Sequence, residues 1–236
     1  MFSLPASNLK CLNAYRDVEF LLRTIPNLKA FRLAHRFIKS WTVTSGISSS
    51  RFGYLGGFHI TLLLARICKL LASADQEKGT GTTITAGTIV SVFFDYYSKV
   101  NWATDAIFDP EFFPVTGTRY QRLARESMVI ASIHSPVVNV AVNATRHSVA
   151  ALAKELKVAD EALKNGQWDL EALKREEGFL KDFGSFVKID VQYWGNSLGR
   201  GKALAAWVES RVPLLLVGKF YNLLFFVLLI LLLANK

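Results

Sequence analysis

Residues 31–71, FRLAHRFIKSWTVTSGISSSRFGYLGGFHITLLLARICKLL, decide the fold. Leu28, Phe31, Ile38 and Trp41 recur at three- and four-residue multiples, which predicts a helix from Asn27 to Trp41 with one buried face. Pro26 ends the preceding segment and opens this helix. Lys29, Arg32, Arg36 and Lys39 recur on another face with no acid between them. That stripe reads either as a solvated surface or as a surface that faces an anion. A serine-rich loop, Ser45 to Arg51, follows, and then Gly53-Tyr54-Leu55-Gly56-Gly57. The glycines permit positive φ and close backbone approach. The next helix, Phe58 to Ala72, is apolar nearly all round, the pattern of a central core helix. Its first turn carries free N–H groups and a partial positive charge, so Lys39 and Arg51 beside it outline an anion site. A tight turn between helices is the plainer reading of the same glycines.

Working outward, Asp17 to Ile25 reads as a short helix with Val18, Leu21, Leu22 and Ile25 inward. Asp75 to Gly81 reads as a surface linker, and Thr83 to Val100 as an aromatic-rich helix. Pro110 and Pro114 break the irregular stretch from Asn101 to Arg125. Asp109 and Glu111 flank Pro110, a pairing that reads as a solvated loop rather than a metal site. Met128 to Val142 carries short β-prone runs. Asn143 or Thr145 caps a helix that reaches about Lys164 and ends at Asn165-Gly166. A short helix over Trp168 to Glu177, a strand over Phe186 to Trp194 and a helix over Leu198 to Val212 complete the series.

The chain has 236 residues, enough for one or two domains, and 51% of them are apolar. A formal charge of +9 and a pI near 9.6 favour an anionic partner, either nucleic acid or a membrane surface. Cys11 and Cys68 lie far apart and read as packing thiols in a reducing compartment. His35, His59, His134 and His147 form no ligand pattern, so no metal site is expected. The first residues, MFSLPASNLK, lack the charged and apolar regions of a signal peptide.

Several segments, taken in order, resemble the eukaryotic poly(A) polymerases. They are Leu12-Asn13, FRLAHRFIKSW (31–41), GYLGG (53–57) and LLLARICKL (62–70). FFDYYSKVNW (93–102) is similar to the family's FF-x-x-x-SK-x-x-W. MVIASIHSP (128–136) and NVAVNAT (139–145) are similar to MPIITPAYP and NVSxST, and ALAAWVESR (203–211) to part of the family's RNA-binding domain. The resemblance implies a mainly α fold. A helical poly(A)-polymerase-like central domain would cover 12–177 and a truncated α/β, ferredoxin-like RNA-binding segment 178–212. An apolar C-terminal helix would occupy 213–236.

Family members add adenylates from ATP to RNA 3′ ends, using metal-bound aspartates in a nucleotidyltransferase domain. No Gly-Ser followed by an Asp-x-Asp strand precedes Asn13, so Mg would enter only through a catalytic domain missing here. The resemblance implies no catalytic residue in this chain and ATP contacts from Asn13 and Lys39 (ribose or phosphate). Gly57 would face the triphosphate, Phe58 the base by packing and Ser132 the base by hydroxyl. It further implies RNA as partner and the nucleus as location.

Two departures stand out. The family's AKRxxIYSN is TVTSGISSS here, so Val43, Ser48 and Ser50 replace a lysine, a tyrosine and an asparagine. Weakened ATP binding follows. The tail from Pro213 to Lys236 is apolar apart from Lys219 and Asn222, near the length of about 20 residues that a membrane span needs. A non-catalytic RNA- or protein-binding module and a membrane-tethered helical protein are the alternative functions.

Overall fold

The computed structural model describes residues 5–79, 84–111, 120–166, 191–195 and 197–218, the last with side chains to 212. The chain divides into two compact units, Met1–Arg175 and Glu176–Lys236. The first is mainly helical. It holds α1 (Ala6–Thr24), α2 (Leu28–Thr44), α3 (Gly57–Lys78), α4 (Ala86–Lys99) and α5 (Arg146–Lys164). A two-residue parallel ladder pairs β1 (Ala106–Ile107) with β2 (Val129–Ile130). In the second unit the main described element is α6 (Leu198–Gly218). The short helix expected over Trp168 to Glu177, most of the strand expected over Phe186 to Trp194, and residues 219–236 lie outside the described residues.

The core forms around α3 and α4. α4 packs on α2, α3 and α5, and α3 also meets α2 and β2. Phe31, Ala34, Ile38 and Trp41 of α2 are buried, as the periodicity predicts, and Trp41 stands edge-on to Phe94 of α4 at 4.8 Å. Ile60, Leu63, Leu64 and Ile67 place α3 in the centre. α3 is long and apolar enough to cross a membrane, but half of its apolar window is buried inside the protein, the mark of a core helix. Tyr97 of α4 is fully buried and donates its hydroxyl to the Leu63 carbonyl at 2.9 Å.

Helix ends follow side-chain chemistry. Asn27 caps α2 by accepting the Ala30 N–H at 3.1 Å. Of the two candidates for α5, Thr145 is the cap, accepting the Ser148 N–H at 3.2 Å. Thr85 caps α4, so that helix starts at Ala86. α3 continues through Asp75 to Lys78 before Gly79 ends it at φ +62°, so half of the expected linker is helical.

α1 departs most from the sequence reading. It begins at Ala6, not Asp17, and its inward residues are Asn13, Asp17 and Leu21. Val18 and Leu22, expected inside, are exposed. The reason is that two of the three inward residues are polar, so hydrophobic periodicity cannot reveal the face. Cys11, on the same helix, is exposed rather than packed. Asp109 and Glu111 also depart from expectation. The Lys69 ammonium, buried on α3, binds Asp109 at 2.8 Å and Glu111 at 2.9 Å, and the Asp109 side chain is itself buried.

Asp17 is fully buried, and its carboxylate accepts the N–H groups of Ile133 and His134 at 3.0 and 3.1 Å. Asp17→Ala leaves both amides without that acceptor and is expected to cost about 3 kcal/mol of stability. Urea unfolding followed by circular dichroism measures it, as a lowered midpoint at unchanged slope.

Candidate functional site

The five residues singled out from sequence fall into two groups. Asn13 and Ser132 form the first. Asn13 is almost fully buried on α1, and its amide donates to the Pro136 carbonyl at 2.9 Å and the His134 carbonyl at 3.3 Å. A third, longer approach reaches Ser132 Oγ at 3.5 Å. Asn13 Oδ1 accepts from Arg16 at 3.4 Å. Ser132 is also buried, and its hydroxyl accepts the Val138 N–H at 2.9 Å. One helical turn along α1, Asp17 holds the same loop and accepts from His134 Nδ1 at 2.7 Å. α1 therefore clamps residues 132–136 through two polar side chains four residues apart, the spacing that shares a helix face.

Lys39 on α2, and Gly57 with Phe58 at the start of α3, make up the second group. Lys39 stands half-buried on α2 and donates to Ser48 Oγ at 3.1 Å. Ser48 pairs with Leu55, and Gly56 and Gly57 then open α3. Gly53 takes φ +80°, and a Cβ there would meet the Asn143 carbonyl at 2.5 Å. Both conditions require glycine. Gly57 differs: it is exposed, and a Cβ would meet nothing within 4 Å. The corner at the start of α3 is thus open to solvent. Phe58 is half-buried and packs against the core.

Sequence reasoning missed His59. Its Nδ1 accepts the Gly56 N–H at 3.3 Å and its Nε2 donates to the Val140 carbonyl at 3.0 Å. The neutral Nε2–H tautomer satisfies both bonds. The ring ties the start of α3 to the segment after β2, and Asn143 adds a bond to the Ser50 carbonyl at 3.1 Å. A single histidine between a glycine pair and an apolar run carries no sequence signature of this role.

Among the described residues no three His, Cys, Asp or Glu side chains converge as a metal site, and Asp109 and Glu111 are both ion-paired with Lys69. Near the start of α3, Lys39 reaches the preceding loop at Ser48, the Gly56 N–H is taken by His59 Nδ1, and Gly57 is exposed.

The family model described as the poly(A) polymerase central domain matches residues 30–173, which contain Lys39, Gly57, Phe58 and Ser132. The chain belongs to the poly(A) polymerase family. It is 26% identical over 221 positions to nuclear poly(A) polymerase 1 of Arabidopsis thaliana, with 86% of this chain and 28% of that protein covered. It is 23% identical over 221 positions to the poly(A) polymerase of Dictyostelium discoideum, with 91% of this chain and 26% of that protein covered. Nuclear poly(A) polymerase 4 of Arabidopsis thaliana is 25% identical over 212 positions. The chain spans about a quarter of the length of these poly(A) polymerases.

Burial lowers the pKa of His59, against the smaller opposing pull of the Val140 and Tyr54 carbonyls. The unfolded chain binds a proton at the ordinary imidazole value, near 6.5, whereas the folded chain resists until lower pH. Stability is therefore unaffected by this group above that value and falls as pH drops below it. Urea midpoints of the wild type and His59→Gln, compared from neutral pH to mild acid, are expected to diverge below that value. The variant has the shallower decline.

Proposed function

We propose that this chain is a poly(A)-polymerase-like segment that presents a nucleotide-facing corner for polynucleotide adenylyl transfer to mRNA 3′ ends. It binds ATP weakly. RNA is the second substrate class and the nucleus the location, both by kinship with relatives named nuclear poly(A) polymerases. When bound, Mg would supply charge neutralisation and activation of the attacking hydroxyl at the metal-binding aspartates of the family's nucleotidyltransferase domain.

One observation carries the reading: Lys39 Nζ lies 3.1 Å from Ser48 Oγ, on the loop that leads to the exposed glycine start of α3. An ammonium has three hydrogens, and Ser48 takes one. The others remain for phosphate oxygens, beside helix N–H groups that favour the same charge. Ser48 stands where the family pattern has tyrosine. The substitution removes an aromatic face and gives Lys39 a neutral partner in its place. Both effects weaken nucleotide binding without abolishing the anion cradle. Asn13 supports the corner differently from Lys39. Its amide is spent on the 132–136 loop, so its part is to position Ser132.

Isothermal titration with ATP tests this. The wild type is expected not to saturate below about 1 mM, and Ser48→Tyr is expected to tighten binding about tenfold, near 1.4 kcal/mol. Lys39→Ala is expected to abolish the heat in both backgrounds. Saturation of the wild type at micromolar ATP would overturn the weak-binding reading. Equal heats from Lys39→Ala would overturn the site itself.

A further inference from the structure

The outer face of α2 is a line of cations that leads away from the Lys39 corner. Lys29, Arg32 and Arg36 are exposed and follow the three- and four-residue spacing that ends at Lys39. Each residue rises about 1.5 Å, so the line from Lys29 to Lys39 spans roughly 15 Å. None of Lys29, Arg32 and Arg36 has an ion pair or side-chain hydrogen bond among the described residues. The setting explains why. From Phe20 to Ala74 the sequence contains no aspartate or glutamate. Several cations elsewhere in the unit do have carboxylate partners: Arg23 with Glu19, Lys69 with Asp109, and Lys164 with Asp95 and Asp160.

We propose that this face of α2 binds the phosphate backbone of single-stranded RNA and guides it toward the corner at Lys39 and Gly57. The inference rests on the nucleotide-facing reading of that corner and adds the surface along which the second substrate lies. Charge complementarity argues for a polyanion, since uncompensated cations in a row raise the local potential. The apolar content of the face argues against a lipid surface. Phe31, Ala34, Ile38 and Trp41 are committed to the core, and the exposed apolar residues of α2 are Leu33 and Val43, ten positions apart. An inserting helix needs a continuous apolar side. Arginine and lysine contribute here as point charges, so recognition is of the backbone and not of sequence.

The test uses the full chain and a short, labelled oligoadenylate, followed by fluorescence anisotropy between about 50 and 200 mM salt. Each phosphate contact on a single strand contributes about 0.7 to the logarithmic salt slope. The variant Lys29→Ala/Arg32→Ala/Arg36→Ala is expected to bind more weakly, with a slope shallower by about 2. Over that salt range the wild type then loses roughly sixteenfold more affinity than the variant. Arg32→Lys/Arg36→Lys keeps the wild-type slope. These side chains are exposed, and unchanged thermal melting verifies that the variants are folded.

An unchanged slope in the triple variant would overturn the proposal. So would wild-type chain that binds phosphatidylserine vesicles but not the oligonucleotide, which assigns the face to lipid. ATP titration of the triple variant separates the two readings. Retained ATP binding with lost RNA binding supports the track. If Lys39→Ala leaves ATP heats unchanged while the RNA slope still responds to the triple variant, the nucleotide corner fails and the RNA surface stands.

Discussion

Burial of α3 sets the terms for the rest of the first unit. An apolar helix can sit at the centre only if its few polar side chains are answered there, because an unpaired polar group away from water costs more than a hydrogen bond returns. These side chains reach two segments of the chain. His59 bonds the Val140 carbonyl, Arg66 the Phe108 carbonyl, and Lys69 the carboxylates of Asp109 and Glu111. The loops around β1 and β2 are thus fixed by the helix they cover. The Lys69 ammonium also lies 4.5 Å from the centre of the Phe20 ring, which draws α1 to the same contact.

This arrangement places chemistry at the margins of a rigid scaffold. The start of α3 is held by His59 and by the fit of Gly53 against Asn143, while Gly57, one turn from the core, stays open. Lys39 extends from the C-terminal half of α2, whose opposite side is packed by Phe31, Ile38 and Trp41. The corner that we propose faces an anion is therefore made of backbone and one lysine, on helices held by buried apolar contacts. A serine in place of the family's aromatic ring at position 48 leaves the scaffold intact, since Ser48 keeps its pairing with Leu55.

A second clamp, from α1, uses polar groups as its inward surface. Asn13 and Asp17 hold residues 132–136 by carbonyl and amide contacts, and His134 closes on Asp17 with its ring edge-on to Phe20 at 5.6 Å. Buried polar contacts of this kind are directional, so they fix one register of the loop where apolar packing would tolerate several. Ser132 owes its position to that register.

The sequence by itself determined the helices of the core, because Phe31, Ile38 and Trp41, and the apolar run after Gly57, carry their periodicity in plain residue types. It determined the family through motifs in register, and it marked the cationic line on α2 and the glycine turn beside Lys39. Only the tertiary structure decided the pairing of Lys39 with Ser48, the choice of Thr145 over Asn143 as cap, and the enclosure of Asp109 by Lys69. It also decided that α1 turns asparagine and aspartate inward and leaves Val18 and Leu22 outside. The physical reason is the same in each case. Periodicity reports which residues avoid water, whereas a buried polar side chain is stable only because of a partner distant in sequence, and its partner is set by packing.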